Sequence, residues 1–591
     1  MSSITAIPDE VWTEVGYQIA CIKTLNALVS TCRAFRGIFS PIRDRHLVLN
    51  VEGFIVTLDT DDPQPVRPEH ARYLDVFFIP FLDDRGWQDS WAPESADGIA
   101  QLIQQMPRLK SFTWYDNSIQ PKNKTGQILQ EQSILEALQS SSLQNLMVTF
   151  NNIRFLDAAG DRQTWLSRSY IPLGGFQNLT SLEVYQLCHL DEVTLLEDLA
   201  GVIRRCPQLK KLGLGGYERG EDDGLFPKDI IINNACDFLE KLCLRYSAYK
   251  DTKPLALTTL RLGHGLLLLK HTSLDCDNYL AKLVEVTTLE SLHITNGAIR
   301  RISGITRRKI WSAMQVDWSM LENCKSVRQL AVTALDMGAR RWLNGVGKGV
   351  EDLIITSHYN RTKTCAKNFD RLRLPNLKML VVHESFHPRT RLRRDATGAP
   401  EKLTDDTIPG LPGFPENIEV LGTTTVLDRL HDNGRFLKRL AICIDLESQW
   451  AQFSSHLMLM PNLRELHLQA RTSQRTCCVS SESSLWESVT DRKKIAYGYA
   501  QLMKWRCPSL HYIRIGIWTW EMAAPDGVEE HEVHDIIQLR QLEPDEILSF
   551  ELFSHQPHAR ASGLSAQPQL WQVDERWVYP GYPPLTFYGD W

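Results

Sequence analysis

The stretch LLEDLAGVIRRCPQLKKLGL, residues 195–214, decides how this chain folds. Its first half sets apolar residues three and four apart (Leu195, Leu199, Val202, Ile203), as one face of an amphipathic helix does. Pro207 follows, and a proline disfavours helical geometry in the residue before it, so the helix stops there. Then comes Leu209-x-x-Leu212-x-Leu214. The last two leucines stand two apart and so share one face of a short strand. Leu209 turns the chain into that strand and packs beneath it. The unit is helix, proline, short strand, loop.

The same phrase recurs as PRLKSFTW at 107–114, PNLKMLVV at 375–382, PNLRELHL at 461–468 and PSLHYIRI at 508–515. Without its proline it reappears at Leu143/Leu146/Val148, Leu179/Leu182/Val184, Leu239/Leu242/Leu244 and Leu289/Leu292/Ile294. Further copies stand at Val327/Leu330/Val332, Val350/Leu353/Ile355 and Leu437/Leu440/Ile442, with weaker ones at Leu257/Leu260/Leu262 and Ile418/Leu421. Two copies run on to Asn117 and Ile119, and to Asn151 and Ile153, where an asparagine can bond the backbone of the following turn. Roughly fourteen copies with one inner spacing exceed what chance clustering of leucine supplies. One unit cannot bury its own apolar face, so the units must stack, strands forming a curved parallel sheet and helices lining the outside.

These phrases resemble the leucine-rich repeat family, in the helix-bearing form found in F-box proteins. The resemblance implies an α/β fold: an irregular solenoid over residues 106–520, headed by an all-α segment at 1–48. Residues 49–105 would be a linker with an atypical capping repeat at ARYLDV, and 521–591 a C-terminal cap or tail. Successive phrases lie about 18 to 47 residues apart against a usual 20–29, so several units carry insertions. Polar Pro/Gly-rich or Ser-rich stretches at 386–416 and 472–484 read as such loops. The tail ends WQVDERWVYPGYPPLTFYGDW, too aromatic for a solvating tail. It reads as a cover for the last repeat, or as a segment that reaches the concave side.

The N-terminal stretch IPDEVWTEVGYQIACIKTLNALVSTCRAFRGIFSPIRDRHL, residues 7–47, carries two apolar stripes at helical spacing. Val11, Val15, Ile19 and Ile22 make the first, opened by Pro8 with Asp9 and Glu10 at the favourable end of the helix dipole. Leu25, Leu28, Val29, Cys32 and Phe35 make the second, with Thr24 as its expected cap. Ile7-Pro8-x-Glu10, the apolar residues after it and the closing LVSTCRAFRGIF with its basic tail resemble an F-box. What that resemblance implies is binding to a Skp-type adaptor of a cullin–RING ubiquitin ligase. Ile7, Pro8, Val11, Val15, Ile19, Leu25, Leu28, Val29 and Phe35 would then face the adaptor or shape its surface. The repeats would hold the protein substrate. On the residues alone, the same stripes could instead cap the first repeat, leaving an interaction scaffold with no ligase role.

Composition narrows the rest. The chain has 591 residues, a net charge of −6, 43% hydrophobic and 23% charged residues. That is globular material with no global attraction for nucleic acid or an anionic membrane. The N-terminus does not read as a signal peptide, and GLLLL at 265–269 is too short to span a bilayer. Thirteen scattered cysteines, Cys32, Cys206 and Cys507 among them at apolar positions, read as buried free thiols in the cytoplasm or nucleus. HESFH at 383–387 matches a zinc-protease motif but follows a strand phrase and precedes Pro388, so it lacks the helix that chemistry needs. EEHEVHD at 529–535 reads as a solvated acidic surface, and NGVGKGV at 344–350 as a turn. No enzyme signature, metal site or cofactor site is expected.

Residues between the two apolar positions of each strand should point into the concavity: Thr113, Met147, Glu183, Arg261, His293, Val381, His467 and Arg514. From Arg300 to Asp395 the chain holds about twenty Lys/Arg against about eight Asp/Glu. Arg261, His293, Arg300, Arg301, His467 and Arg514 are the candidate substrate surface. A cationic surface there would suit an acidic or phosphorylated segment, since arginine pairs bidentately with carboxylate and phosphate. Solvated outer loops are the competing reading of the same charges.

Overall fold

The computed structural model describes residues 8–18, 22–52, 55–58, 67–79, 82–83, 86–87, 93–116, 132–149, 173–187, 192–216, 238–250, 252–263 and 278–294. In the second half it describes 298–302, 309–313, 316–332, 335–357, 372, 374–384, 436–444, 446–470, 489–515, 518–523, 538–542, 550 and 552. Seventeen strands among them form one open, mostly parallel sheet. In chain order they begin with β1 His46–Glu52, β2 Ile55–Leu58 and β3 Tyr73–Ile79, before the small hairpin of β4 Leu82–Asp83 and β5 Gly86–Trp87. β6 Ser111–Asp116, β7 Asn145–Thr149, β8 Ser181–Leu187, β9 Lys211–Gly216, β10 Thr259–Leu262 and β11 Ser291–Ile294 continue the sheet. β12 Ala298–Ile302 and β13 Lys309–Ala313 form a separate antiparallel pair. The sheet resumes with β14 Gln329–Val332, β15 Asp352–Ser357, β16 Met379–Glu384, β17 Arg439–Ile444, β18 Glu465–Ala470 and β19 Tyr512–Ile515. It ends with β20 Trp518–Ala523 and β21 Gln538–Gln541.

Each parallel strand pairs with the next, and the register is one column. Leu182, Leu212, Leu260, Leu292, Leu330, Leu353 and Leu380 sit side by side on consecutive strands, with Val184, Leu214, Leu262, Ile294, Val332, Ile355 and Val382 two residues on. All of these are at most 4% exposed, so every strand places both apolar residues in one continuous core. Removing one such leucine side chain costs about 2–5 kcal/mol. The helices pack on that same side. α4 Pro93–Gln104 inserts Ile99 and Ile103, α5 Gln132–Ser140 inserts Ile134 and Leu138, and α6 Glu192–Arg205 inserts Leu199 and Val202.

Proline does more than end the helix. In each proline-bearing phrase the residue before it accepts a bond from the leucine two places after it. Met106 O takes Leu109 N at 3.0 Å, Cys206 O takes Leu209 N at 3.0 Å, and Cys507 O takes Leu510 N at 3.0 Å. That is a tight turn with proline second, where its fixed φ is already correct. Leu374–Leu377 and Met460–Leu463 repeat the turn at Pro375 and Pro461. In the copy before β8, which lacks proline, Asn178 takes φ 60° instead, a left-handed conformation asparagine tolerates. A backbone bond then seats each strand on the one before: Lys210 N on Thr180 O at 2.7 Å, Thr258 N on Lys210 O at 2.8 Å, Glu290 N on Thr258 O at 2.8 Å.

Several expectations are revised. The sheet starts at His46, not near 106, because HLVLNVE and YLDVFFI pair in parallel register, Leu47 with Leu74 and Leu49 with Val76. ARYLDV, expected as an atypical capping repeat, enters β3 between β1 and β6, so β1 precedes it in the sheet. The phrase at Leu239/Leu242/Leu244 is not a strand: it lies in a helix, Phe238–Ser247, which buries Phe238, Leu239, Leu242, Cys243 and Tyr246. The second N-terminal stripe is two helices, not one. α1 Asp9–Gln18 and α2 Ile22–Thr31 are followed by α3 Arg33–Arg43, which starts at Cys32 in an extended conformation, its Sγ accepting from Phe35 N at 3.4 Å. Cys32 is consequently exposed instead of buried, while Cys206 and Cys507 are buried. Thr24, the expected cap, lies inside α2. Ile418/Leu421, Asn117, Ile119, Asn151, Ile153, 265–269, 386–416, 472–484, 529–535 and the aromatic tail from 553 lie outside the described residues.

Candidate functional site

Two surfaces are built well enough to act. The first is the N-terminal helical segment, which closes a small core of its own from Leu25, Val29, Phe35 and Phe39, with Trp12, Leu28, Ile38 and Ile42 packed against it. Trp12 meets Phe35 edge-on at 4.9 Å between centroids, and Phe35 meets Phe39 at 5.3 Å. Gly16 lets α1 lie directly on α3, since a Cβ there would strike Ile42 Cδ1 and stand 2.9 Å from Phe39 Cδ1. Arg43 and Asp44 form a buried ion pair at 2.7 Å, and Asp44 also accepts from Arg67 N at 3.2 Å, tying the end of α3 to the turn before β3.

This arrangement sorts the nine residues assigned to an adaptor. Leu25, Val29 and Phe35 are interior, and Leu28 is partly buried. Pro8 is exposed, and Val11 and Val15, one turn apart on α1, are 48% and 42% exposed. Ile7 and Ile19 lie outside the described residues.

The second surface is the sheet face opposite the helices. Strand alternation sends both the residue before the first apolar position and the residue after it to that face. Over β8–β11 this face is polar and tightly bonded. Glu183 takes an ion pair from Lys211 Nζ at 2.5 Å and from Arg261 Nη1 at 3.2 Å, and a hydrogen bond from the Tyr185 hydroxyl at 2.6 Å. Burial pushes the Glu183 carboxyl up, but Arg261 and Lys211 outweigh it and hold it below the usual carboxylate range. Tyr185 goes the other way, raised by burial and by the adjacent carboxylate. His293 Nε2 lies 3.1 Å from Ser291 Oγ and 3.2 Å from Gln329 Oε1.

Over β14–β17 the same face carries an apolar row beside its polar residues. Ala331, Ile354, Met379, Val381 and Ala441 form a patch separate from the main core, and Leu542 and Leu552 are buried in it. Tyr512 and Phe550 pack at its margin, ring centroids 4.5 Å apart. Beyond it, polarity returns with His467 and Arg514. Burial in surroundings that strip its hydration lowers the Arg514 guanidinium to about 10.

The candidate substrate residues are thus placed but not laid open. His293, His467 and Arg514 are 6%, 3% and 5% exposed, and Arg261 is partly buried. Arg300 and Arg301 lie on the backbone of β12, away from the main sheet, and their side chains are outside the described set. Tyr185, Lys211, Gln329, Asp352, Met379 and Arg439 complete the face and were missed by considering only the residue between the two apolar positions. The period-two rule, carried one residue upstream, finds all of them but Tyr185, which lies one residue past the second apolar position. Asp352 and Arg439 pair at 3.1 Å across the strand between them.

His383 and Glu384 end strand β16, so the zinc-protease motif lacks its helix, and 344–350 runs from a helix end into the turn Gly347–Gly349. Among the described residues no group of three or more His, Cys, Asp or Glu is placed to hold a metal, and no helix is long and apolar enough to cross a membrane.

No family model matches the chain, and no curated protein matches it. Among solved structures it is similar to a chain of the Toll–Spatzle complex, described as a molecular hub in Drosophila development and innate immunity. Identity is 12% over 71% of this chain and 49% of that one, with a TM-score of 0.29. The strand register, not this likeness, defines the fold.

Proposed function

We propose that this chain is the substrate-binding subunit of an SCF-type cullin–RING ubiquitin ligase in the cytoplasm or nucleus. In this reading the N-terminal helices are an F-box holding a Skp-type adaptor. The stacked strands are a leucine-rich-repeat solenoid holding a protein substrate. The chain itself performs no covalent chemistry. It raises the local concentration of substrate beside the ligase's conjugating enzyme. The observation that supports it is the division within the helical segment. Its aromatic and leucine residues close a core, while Pro8, just before α1, and Val11 and Val15 on it are exposed. The basic stretch around Arg300 and Arg301 suits an acidic or phosphorylated substrate segment.

Co-expression with a Skp-type adaptor tests this. The unaltered chain should retain the adaptor through size-exclusion chromatography, and Val11→Asp/Val15→Asp should lose it with unchanged circular dichroism. An unaltered chain that never retains adaptor leaves a repeat scaffold with no ligase role.

A further inference from the structure

The residue that leads into each strand sits on the rim where the turns meet the sheet, and before β16–β19 it is a base four times running. Lys438 N bonds Lys378 O at 2.9 Å, Arg464 N bonds Lys438 O at 2.8 Å and His511 N bonds Arg464 O at 2.9 Å, so the four stand in one column. All four are exposed. Glu351, one strand earlier, pairs with Lys378 at 2.5 Å, but among the described residues no acid pairs with Lys438 or Arg464. Glu465 and Glu521 stand one row nearer the concave face, where Glu521 holds Arg540 at 2.7 Å. Burial lowers the His511 imidazole, and Lys504 and Arg464 lower it further against Glu521, so positive charge converges here. Like charges about 4.8 Å apart on neighbouring strands work against the fold.

An apolar patch adjoins the column. Met458 and Leu459, just past the helix Leu446–Leu457, are 53% and 56% exposed. Leu502 and Trp505, three apart on the helix Val489–Arg506, are 46% and 58% exposed. Arg506 joins the two helix ends, its Nη1 3.7 Å from Met458 Sδ and its guanidinium 4.7 Å over the Trp505 ring. The turns Met460–Leu463 and Cys507–Leu510 carry the chain directly from this patch to Arg464 and His511.

We infer that this rim docks an acidic amphipathic helix of a protein partner, its acids on the column and its apolar residues on the patch. Such a helix repeats every 5.4 Å or so, roughly the spacing of about 4.8 Å between strands. Acids one turn apart therefore stay beside successive bases across all four strands, drifting by about 2 Å. Three of the four apolar side chains are aliphatic, and Arg506 already stacks on Trp505, which favours packing against a protein helix over stacking against nucleobases. This inference does not depend on the adaptor reading.

The probe is a fluorescein-labelled helical peptide of about twenty residues, with glutamates along one face and leucines along the next. Fluorescence anisotropy follows its titration into the full chain at low salt. The unaltered chain should bind it. Lys438→Glu/Arg464→Glu and Leu502→Ser/Trp505→Ser should each weaken binding at least about tenfold, with unchanged circular dichroism. Lys110→Glu/Lys210→Glu alters exposed bases at the same position before earlier strands and should change nothing. A peptide of the same composition, its two residue types shuffled around the helix, should bind at least about tenfold more weakly. No binding by the unaltered chain, equal binding of the shuffled peptide, an equal loss in Lys110→Glu/Lys210→Glu, or tighter binding of a polyuridine oligonucleotide overturns the proposal. Failure of adaptor retention would leave all these outcomes unchanged.

Discussion

Tyr185 donates its hydroxyl to Glu183 over 2.6 Å, and the two side chains meet above a strand that has no side chain at Gly213. Gly213 is the partner of both Glu183 and Arg261 in the register. A methyl built there would stand 2.5 Å from the Tyr185 hydroxyl and 2.9 Å from Glu183 Cγ. Neither neighbour can yield, because Tyr185 is fully buried and Glu183 is 4% exposed. Gly213→Ala should therefore destabilise the chain by about 1–3 kcal/mol, the usual cost of overpacking, read as a lowered urea midpoint. An unchanged midpoint would mean that the cluster is slack.

The same cluster sets a pH dependence. The folded Glu183 carboxyl lies below its unfolded value of about 4.3, so its stabilisation is fully present above that pH. It is lost as pH falls through the lower folded value. Glu183→Gln leaves Lys211 and Arg261 crowded without a carboxylate and should cost about 3–5 kcal/mol at pH 7. The gap between the two chains should narrow steadily below about pH 4. Denaturant midpoints at pH 7, 5, 4 and 3 measure it, and a gap that does not change with pH would sink the electrostatic account.

Thiol chemistry should divide the described cysteines cleanly. Cys206, Cys243, Cys324 and Cys507 are buried, and burial raises the Cys324 thiol to about 12. Only the thiolate alkylates. Brief iodoacetamide treatment of the native chain, followed by peptide mass spectrometry, should label Cys32 and spare these four until urea is added. Labelling of Cys324 in the native chain would contradict the packing.

Within the helical segment, interior and surface residues should respond oppositely. Phe39 is fully buried, and Phe39→Ala should cost about 3–5 kcal/mol and melt the segment. Val11→Ala, on the exposed side, should stay within about 0.5 kcal/mol. Thermal melts of the full chain followed at Trp12 would separate them.

Much of this architecture could be read from spacing alone. Two apolar residues two apart, preceded by a leucine three residues earlier, located β6–β11 and β14–β19 except where the helix Phe238–Ser247 imitated the phrase. The imitation has a physical cause: the first step, three residues, is common to both structures. Cys243 and Tyr246 continue that helix at four- and three-residue steps, and Leu257/Leu260/Leu262 soon after supplies the real strand. β1 is hidden in the sequence because HLVLNVE straddles the boundary at 48, its first residues reading with the basic end of the helical segment and the rest with the linker. The polar cluster was half visible, since Glu183 and Arg261 were placed on the right face. Their partner Tyr185 and the need for Gly213 depend on close approach between strands, which no single-strand pattern encodes. The row Ala331, Ile354, Val381 and Ala441 did carry a signal, as four apolar residues in succession on the supposedly solvated side mark a covered one.

β2 runs antiparallel to β1 and β20 runs antiparallel to β19, while β21, antiparallel to β20, points along the stack again, so among the described strands the run of parallel neighbours ends at β1 and at β19. A naked parallel border is a template on which another molecule's border can build. A reversed strand on each flank ends the parallel ladder, at β1 and at β19. A chain cut before Trp518 would uncover β19 and should self-associate through the border thus bared.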